Sequence, residues 1–152
     1  MRRREKEIVQ ESDIEAIIRS ARICRLGLSD GEHPYIVPLC FGYDDRTLYF
    51  HGALEGRKLD IIRKNHHVCF EIDVKTEIVE AEEACGWSVN YQSVIGFGGA
   101  VLLEDPAEKQ EALEIIMSQY TDRRFRFPDT AIQNTAVIRV EIEQMTGKQS
   151  GQ

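Results

Sequence analysis

Thr47 to Lys58 reads TLYFHGALEGRK. A β-branched and aromatic run passes through His51 and breaks on Gly52 and Gly56. It ends on a basic pair, Arg57 and Lys58, where a helical pattern begins. Strand, glycine-containing turn and cations at a helix start form an arrangement that holds a phosphate. Backbone N–H groups at the helix N-terminus are free to face an anion, and two positive charges add to that field. Without an anion, each cation would oppose the helix dipole by roughly 0.3–1 kcal/mol.

Upstream, Tyr43-Asp44-Asp45-Arg46 reads as a turn and Tyr35 to Phe41 as a strand. Alternation puts Tyr35, Val37, Leu39 and Phe41 on one side and Ile36, Pro38 and Cys40 on the other. Proline cannot donate to a ladder, so Pro38 predicts an edge or a bulge. Ser29-Asp30-Gly31-Glu32 carries a hairpin signal and joins this strand to another over Ile23 to Leu28. With Thr47 to His51 as the third member, the three strands predict an antiparallel meander. Before them, Ser12 with Glu15 three residues later has the capping-box pattern. It opens a helix whose Ile14, Ile17, Ile18 and Ala21 share one face.

Downstream, Leu59, Ile61 and Ile62 supply the apolar face of a short helix ending near Asn65. His67 to Val74 alternates as a strand, with Val68, Phe70, Ile72 and Val74 against His67, Cys69, Glu71 and Asp73. Thr76 to Asn90 reads as irregular. Tyr91 to Leu103 is one long strand, and its Gly96, Gly98 and Gly99 predict a bend, a bulge or a close neighbour. The G-x-G-x-x-G spacing of a dinucleotide site is absent. Asp105, Pro106 and Glu108 start a third helix, with Leu113, Ile116, Met117 and Tyr120 as its buried stripe. Thr121 to Asn134 reads as a polar connection carrying Phe125 and Phe127. Ala136 to Ile142 is the final strand, ended by Thr146-Gly147-Lys148. Six strands and three helices in a single domain, 1–152, predict a small antiparallel barrel with helical cover.

The net charge of −7 argues against broad nucleic-acid binding, which needs a basic face. No apolar run is long enough to span a membrane, and MRRREKE leads into an acidic helix rather than a signal-peptide core. A cytoplasmic protein is expected. Cys24, Cys40, Cys69 and Cys85 form no CxxC pair and read as reduced, mostly buried thiols. His66 and His67 are expected on opposite faces of a strand start, which argues against a shared metal ion. Trp87 and Tyr91 read as core or interface aromatics.

Three blocks carry a family resemblance: IVPLCFGYDDRTLYFHGALEGRK (Ile36 to Lys58), YQSVIGFGGAVLLEDPAEK (Tyr91 to Lys109) and MTGK (Met145 to Lys148). Together they resemble the pyridoxamine 5'-phosphate oxidase-like split-barrel flavoproteins, in the branch related to nitroimidazole-resistance proteins. The resemblance implies a mainly β (α+β) fold, a six-stranded antiparallel split β-barrel with flanking helices. It also implies a homodimer holding FMN in two grooves at the subunit interface. The strand Ile36, Val37, Pro38, Leu39, Cys40 and Phe41 would line the isoalloxazine and ribityl chain. His51 and Gly52 would lie beside the phosphate, Arg57 and Lys58 would bind it, and Ser93 would approach from the partner subunit.

That family reading implies an FMN-dependent oxidoreductase. It would take electrons from a reduced nicotinamide cofactor or another reductant and pass them to a small electron-poor acceptor such as a nitroaromatic. His51 is the candidate proton donor. The alternative of another class is a flavin- or haem-binding protein that stores, senses or regulates without turnover. FAD or a deazaflavin in place of FMN is also compatible with the sequence. Pyridoxamine-phosphate oxidase activity is disfavoured, because the arginine-bearing C-terminal segment of those enzymes has no counterpart after the final strand.

Overall fold

A computed structural model describes residues 4–151. One antiparallel sheet of eight strands forms the body. The strands are β1 (Glu7–Ile8), β2 (Cys24–Ser29), β3 (Pro34–Leu39), β4 (Gly42–Asp44), β5 (Thr47–Gly52), β6 (His67–Val79), β7 (Ser88–Leu103) and β8 (Ala136–Ser150). Four helices accompany them: α1 (Glu11–Ser20), α2 (Arg57–Lys64), α3 (Pro106–Ser118) and α4 (Asp129–Gln133). The sheet order is β3-β2-β6-β7-β8-β5-β4, and β1 adds to β8.

The order corrects the expected meander. β2 and β3 pair as a hairpin, but β5 pairs with β8 and β4 rather than with β3. β3 and β4 are consecutive in the chain yet occupy opposite ends of the sheet. Leu39, Cys40, Phe41 and Gly42 therefore carry the chain across the gap between the two edges. The barrel is split along this seam, closed by covalent continuity instead of a ladder. Pro38 lies on β3, an edge strand, as its missing donor requires.

Side chains from both edges fill one interior. Tyr35, Val37 and Leu39 of β3 pack against the same core as Leu48 and Phe50 of β5, with Phe41 and Phe70 fully enclosed. Ile14, Ile17, Ile18 and Ala21 bury the face of α1 in that core. A second cluster, Leu103, Leu113, Ile116, Ile132 and Val137, lies under α3 and α4 on the other side of β5.

Several boundaries differ from expectation. α1 begins one residue before Ser12, with Gln10 as N-cap and no side-chain cap bond, so the capping box does not form. The Thr76 to Asn90 segment is largely a ribbon, because β6 runs on to Val79 past an irregularity between Val74 and Glu77. β8 continues through Thr146-Gly147-Lys148 to Ser150, where Gly147 lies against Ile8 and Ile14. Two extra strands and α4 make the count eight and four. In β7 the glycines serve as expected: Gly96 gives room to the Phe70 ring, and the register slips between Phe97 and Gly98.

Asp105 caps α3 as predicted, accepting from the Ala107 and Glu108 N–H groups. Tyr120 lies beyond that helix instead of on its stripe. Only Cys24 of the four cysteines is buried; Cys40, Cys69 and Cys85 are exposed, because Cys40 and Cys69 fall on outward-facing positions and Cys85 in a surface turn. His66 precedes β6, so the alternation does not apply, and its ring lies 4.2 Å from that of His67. Trp87 is exposed rather than in the core. No helix among the described residues is long and apolar enough to cross a membrane.

Candidate functional site at the split of the barrel

The seam has two walls. One is β3, an edge along its whole length. The other is the end of β5, since β4 covers only Thr47 to Tyr49 and leaves Phe50, His51 and Gly52 without a neighbour on that side. The chain crosses between the walls at one end, and α2 begins at the other.

Gly56 opens α2 with φ of 136°, a conformation that side chains rarely adopt. Leu59 and Asp60 donate to the Gly56 carbonyl at 2.9 and 3.2 Å. The N–H groups of Arg57 and Lys58 thus precede the internal ladder, as the first amides of a helix do. The Arg57 guanidinium stacks 4.8 Å from the centre of the Tyr35 ring on β3. The Lys58 side chain folds against Gly52 of β5, where an added Cβ would come within 2.8 Å of Nζ. One helix start therefore reaches both walls, a cation on each. Neither cation pairs with a carboxylate among the described residues. Asp30, in the turn leading into β3, is held below the usual carboxylate range. Its main cause is the pair of bonds from the His33 and Glu32 N–H groups.

The strand Ile36 to Phe41 divides by alternation. Ile36 (67% exposed), Pro38 and Cys40 point outward, while Val37 and Leu39 pack on the core and Phe41 is fully buried. Only the first three can offer side chains to a ligand on the outer surface; Val37, Leu39 and Phe41 can offer backbone. His51 is exposed beside Gly52, on the same side of β5 as Tyr49. Ser93 is not brought to the seam within one chain. It lies on β7, three strands from β3, about 14 Å by the usual spacing.

Outward residues continue across the sheet in register. Ile36 lies opposite Gly27, Gly27 opposite Cys69, and Cys69 opposite Phe97. Pro38, Arg25, Glu71 and Ile95 form the next row. Arg25 bonds both Glu71, at 3.0 Å, and Asp73. Partial burial, then the Asp73 charge, pushes the Glu71 carboxyl up. The outer face beside the seam is thus apolar, with one ion cluster in its middle.

The far end of the seam is held by a residue that sequence reasoning placed elsewhere. The Tyr120 hydroxyl accepts from the Phe41 N–H at 2.9 Å and donates to the Arg22 carbonyl at 2.8 Å. Burial pushes its pKa up. Gly42 lies against the backbone of α3, where a Cβ would come 2.6 Å from the Ile116 nitrogen. Alternation puts Tyr35 only on one side of its strand; its contact with Arg57 depends on α2 folding back over β3.

The cradle suits a phosphate-terminated flat group. It offers two unpaired cations, free helix amides and an edge strand of small or apolar outward side chains at one opening.

Comparison with known proteins identifies the fold and the family. The family model described as pyridoxamine 5'-phosphate oxidase matches residues 10–149. A candidate 5-nitroimidazole antibiotic resistance protein from Bacteroides thetaiotaomicron is 38% identical, with a TM-score of 0.84 over 93% of this chain and 85% of its own. A flavocytochrome from Azotobacter vinelandii shares the fold at 22% identity, with a TM-score of 0.86 over 100% of this chain and 72% of its own. A FAD and haem binding protein from Mycobacterium smegmatis does so at 17% identity, with a TM-score of 0.84 over 97% and 74%. No curated protein matches the chain.

Proposed function

The chain belongs to the pyridoxamine 5'-phosphate oxidase family, and we propose that it is a homodimeric FMN-binding oxidoreductase. In this reading it reduces small electron-poor acceptors, nitroimidazoles and other nitroaromatics among them, at the expense of a reduced nicotinamide. The observation that carries the proposal is the start of α2. Its two cations lie on opposite walls of the seam, Arg57 over Tyr35 and Lys58 against Gly52, and neither forms an ion pair among the described residues. A phosphate there would receive charge-assisted bonds from both side chains and the helix amides.

The bound flavin would supply the electron transfer itself. The chain's part is to bind and orient. Ile36, Pro38 and Cys40 present the outer surface of β3 to one face of the ring, and the partner's apolar sheet face, including the region around Ser93, would cover the other. His51, exposed beside Gly52, would be the proton donor toward the acceptor. The similarity to a nitroimidazole-resistance protein supports the acceptor class.

The visible spectrum of the purified protein and titration with FMN test the cofactor. A colourless preparation that fails to bind added FMN overturns it. Steady-state assays with a nicotinamide donor and nitroaromatic or quinone acceptors test the enzyme. Turnover no faster than free FMN would leave a non-catalytic flavin-binding or sensing protein instead.

A further inference from the structure

β6 and β7 run past the rest of the sheet as a bare ribbon. β8 pairs with β7 only as far as Ser150, opposite Tyr91, and β2 pairs with β6 only as far as Glu71. Every residue from Lys75 to Val89 is exposed. Register places Ile78 (65% exposed) directly across from Val89, and Trp87 (51% exposed) follows at the tip. The tip is nonetheless built. Ala84–Gly86 forms a 3-10 turn, and the Trp87 indole N–H donates to the Ala81 carbonyl at 2.8 Å. A two-stranded ribbon is marginal by itself in water. Its charge has one sign: Glu77, Glu80, Glu82 and Glu83, against Lys75 alone at its root.

A surface of the opposite character follows α3. The segment Thr121 to Asp129 reads TDRRFRFPD, with three arginines in four residues in a chain of net charge −7. Arg123, Arg124 and Arg126 make no ion pair among the described residues. Between this segment and α3 lies a groove of about 530 Å³, with Met117, Phe125 and Phe127 among its walls and Arg123 and Arg124 beside them. The Arg123 guanidinium lies 5.4 Å from the Phe125 ring centre. Two carboxylates also line the groove, Asp122 and Glu114, the latter bonded by Gln110.

The ribbon and the groove follow from opposite ends of β7 in the chain. The ribbon leaves β7 at Ser88, and α3 follows its other end at Leu103.

We propose that the ribbon tip of one copy docks in the arginine-lined groove of a second copy, with Trp87 entering between Phe125 and Met117. Glu80, Glu82 and Glu83 then face Arg123, Arg124 and Arg126. The inference rests on the homodimer reading, and a two-fold axis makes the contact twice. Thr121 directly follows Tyr120, so each ribbon also roofs the crossover end of its partner's seam. Acid against base across the contact fixes register and excludes other pairings.

The native Cys85 at the ribbon tip permits a direct test. In a Cys40→Ser/Cys69→Ser background, Phe125→Cys should yield a disulfide-linked dimer on mild oxidation, lost when Cys85→Ser is added. Sedimentation velocity supplies the second arm. Glu80→Lys/Glu82→Lys/Glu83→Lys and Arg123→Glu/Arg124→Glu/Arg126→Glu should each weaken the dimer by about tenfold or more at low salt, and mixing the two variants should restore it. A full-strength dimer in both charge variants with no cross-link overturns the docking and leaves the homodimer standing. A wild-type monomer at every concentration overturns both, while FMN titration of the same samples reads the cofactor proposal separately.

Discussion

The two ends of the seam are built by unlike means. At the α2 end two cations reach across an open, solvent-exposed gap, held by an aromatic face and a glycine. At the α3 end a tyrosine hydroxyl bridges two backbone groups, and Gly42 lets helix backbone pack directly on the crossover. One end is polar, with cations that form no ion pair among the described residues; the other is close-packed and hydrogen-bonded. Cations without ion pairs near a protein surface contribute little to stability, so the fold alone does not call for this arrangement. Packed backbone and paired hydrogen bonds are explained by the fold. The α3 end fixes the walls, and the α2 end uses the opening they leave.

That division predicts separable losses. Gly42→Ala should have the largest effect, because the new methyl meets helix backbone that cannot yield. About 2–3 kcal/mol of stability should be lost in chemical denaturation. Retention of full stability would mean that the crossover is loosely held. Tyr120→Phe removes both hydroxyl bonds and leaves the Phe41 N–H without that partner, for about 1–2 kcal/mol. At the α2 end the pattern should reverse. Gly52→Ala meets only the far end of the flexible Lys58 side chain, so unfolding should shift by less than about 0.5 kcal/mol. FMN affinity should nevertheless fall by about tenfold as Lys58 is displaced. A variant that loses stability but keeps affinity would contradict the separation.

The smallest effect is one of pH. The Asp30 carboxyl is depressed below 3.8 by the His33 and Glu32 N–H groups. A depressed acid contributes stability that is present above its unfolded pKa and is lost as pH falls through its folded value. The advantage of the wild type over Asp30→Ala should therefore be full above about pH 4 and shrink below it. Thermal unfolding over that window checks the sign; an advantage that grows on acidification would refute it.

The α2 end was legible because its signals are local. TLYFHGALEGRK places the strand, both glycines and both cations within twelve residues, and Pro38 marks its own edge. What the sequence hid was long-range. Nothing in Thr47 to His51 reveals that β8 is its partner rather than β3, since tight turns between neighbours favour the meander. Tyr120 fits a helical stripe by spacing, yet it serves the crossover 79 residues away. Arg57 finds Tyr35 only once α2 folds back. The capping-box pattern at Ser12 failed for a related reason: a local motif matched, but the helix starts one residue earlier on Gln10.

The most direct test of the account compares FMN with riboflavin, which differ only by the phosphate, in wild type and in Arg57→Ala/Lys58→Ala. The account predicts that the double variant loses FMN affinity by about a hundredfold while riboflavin affinity changes by less than about threefold. Equal losses for the two ligands, or none for FMN, would contradict it, because the phosphate would then lie somewhere other than the start of α2.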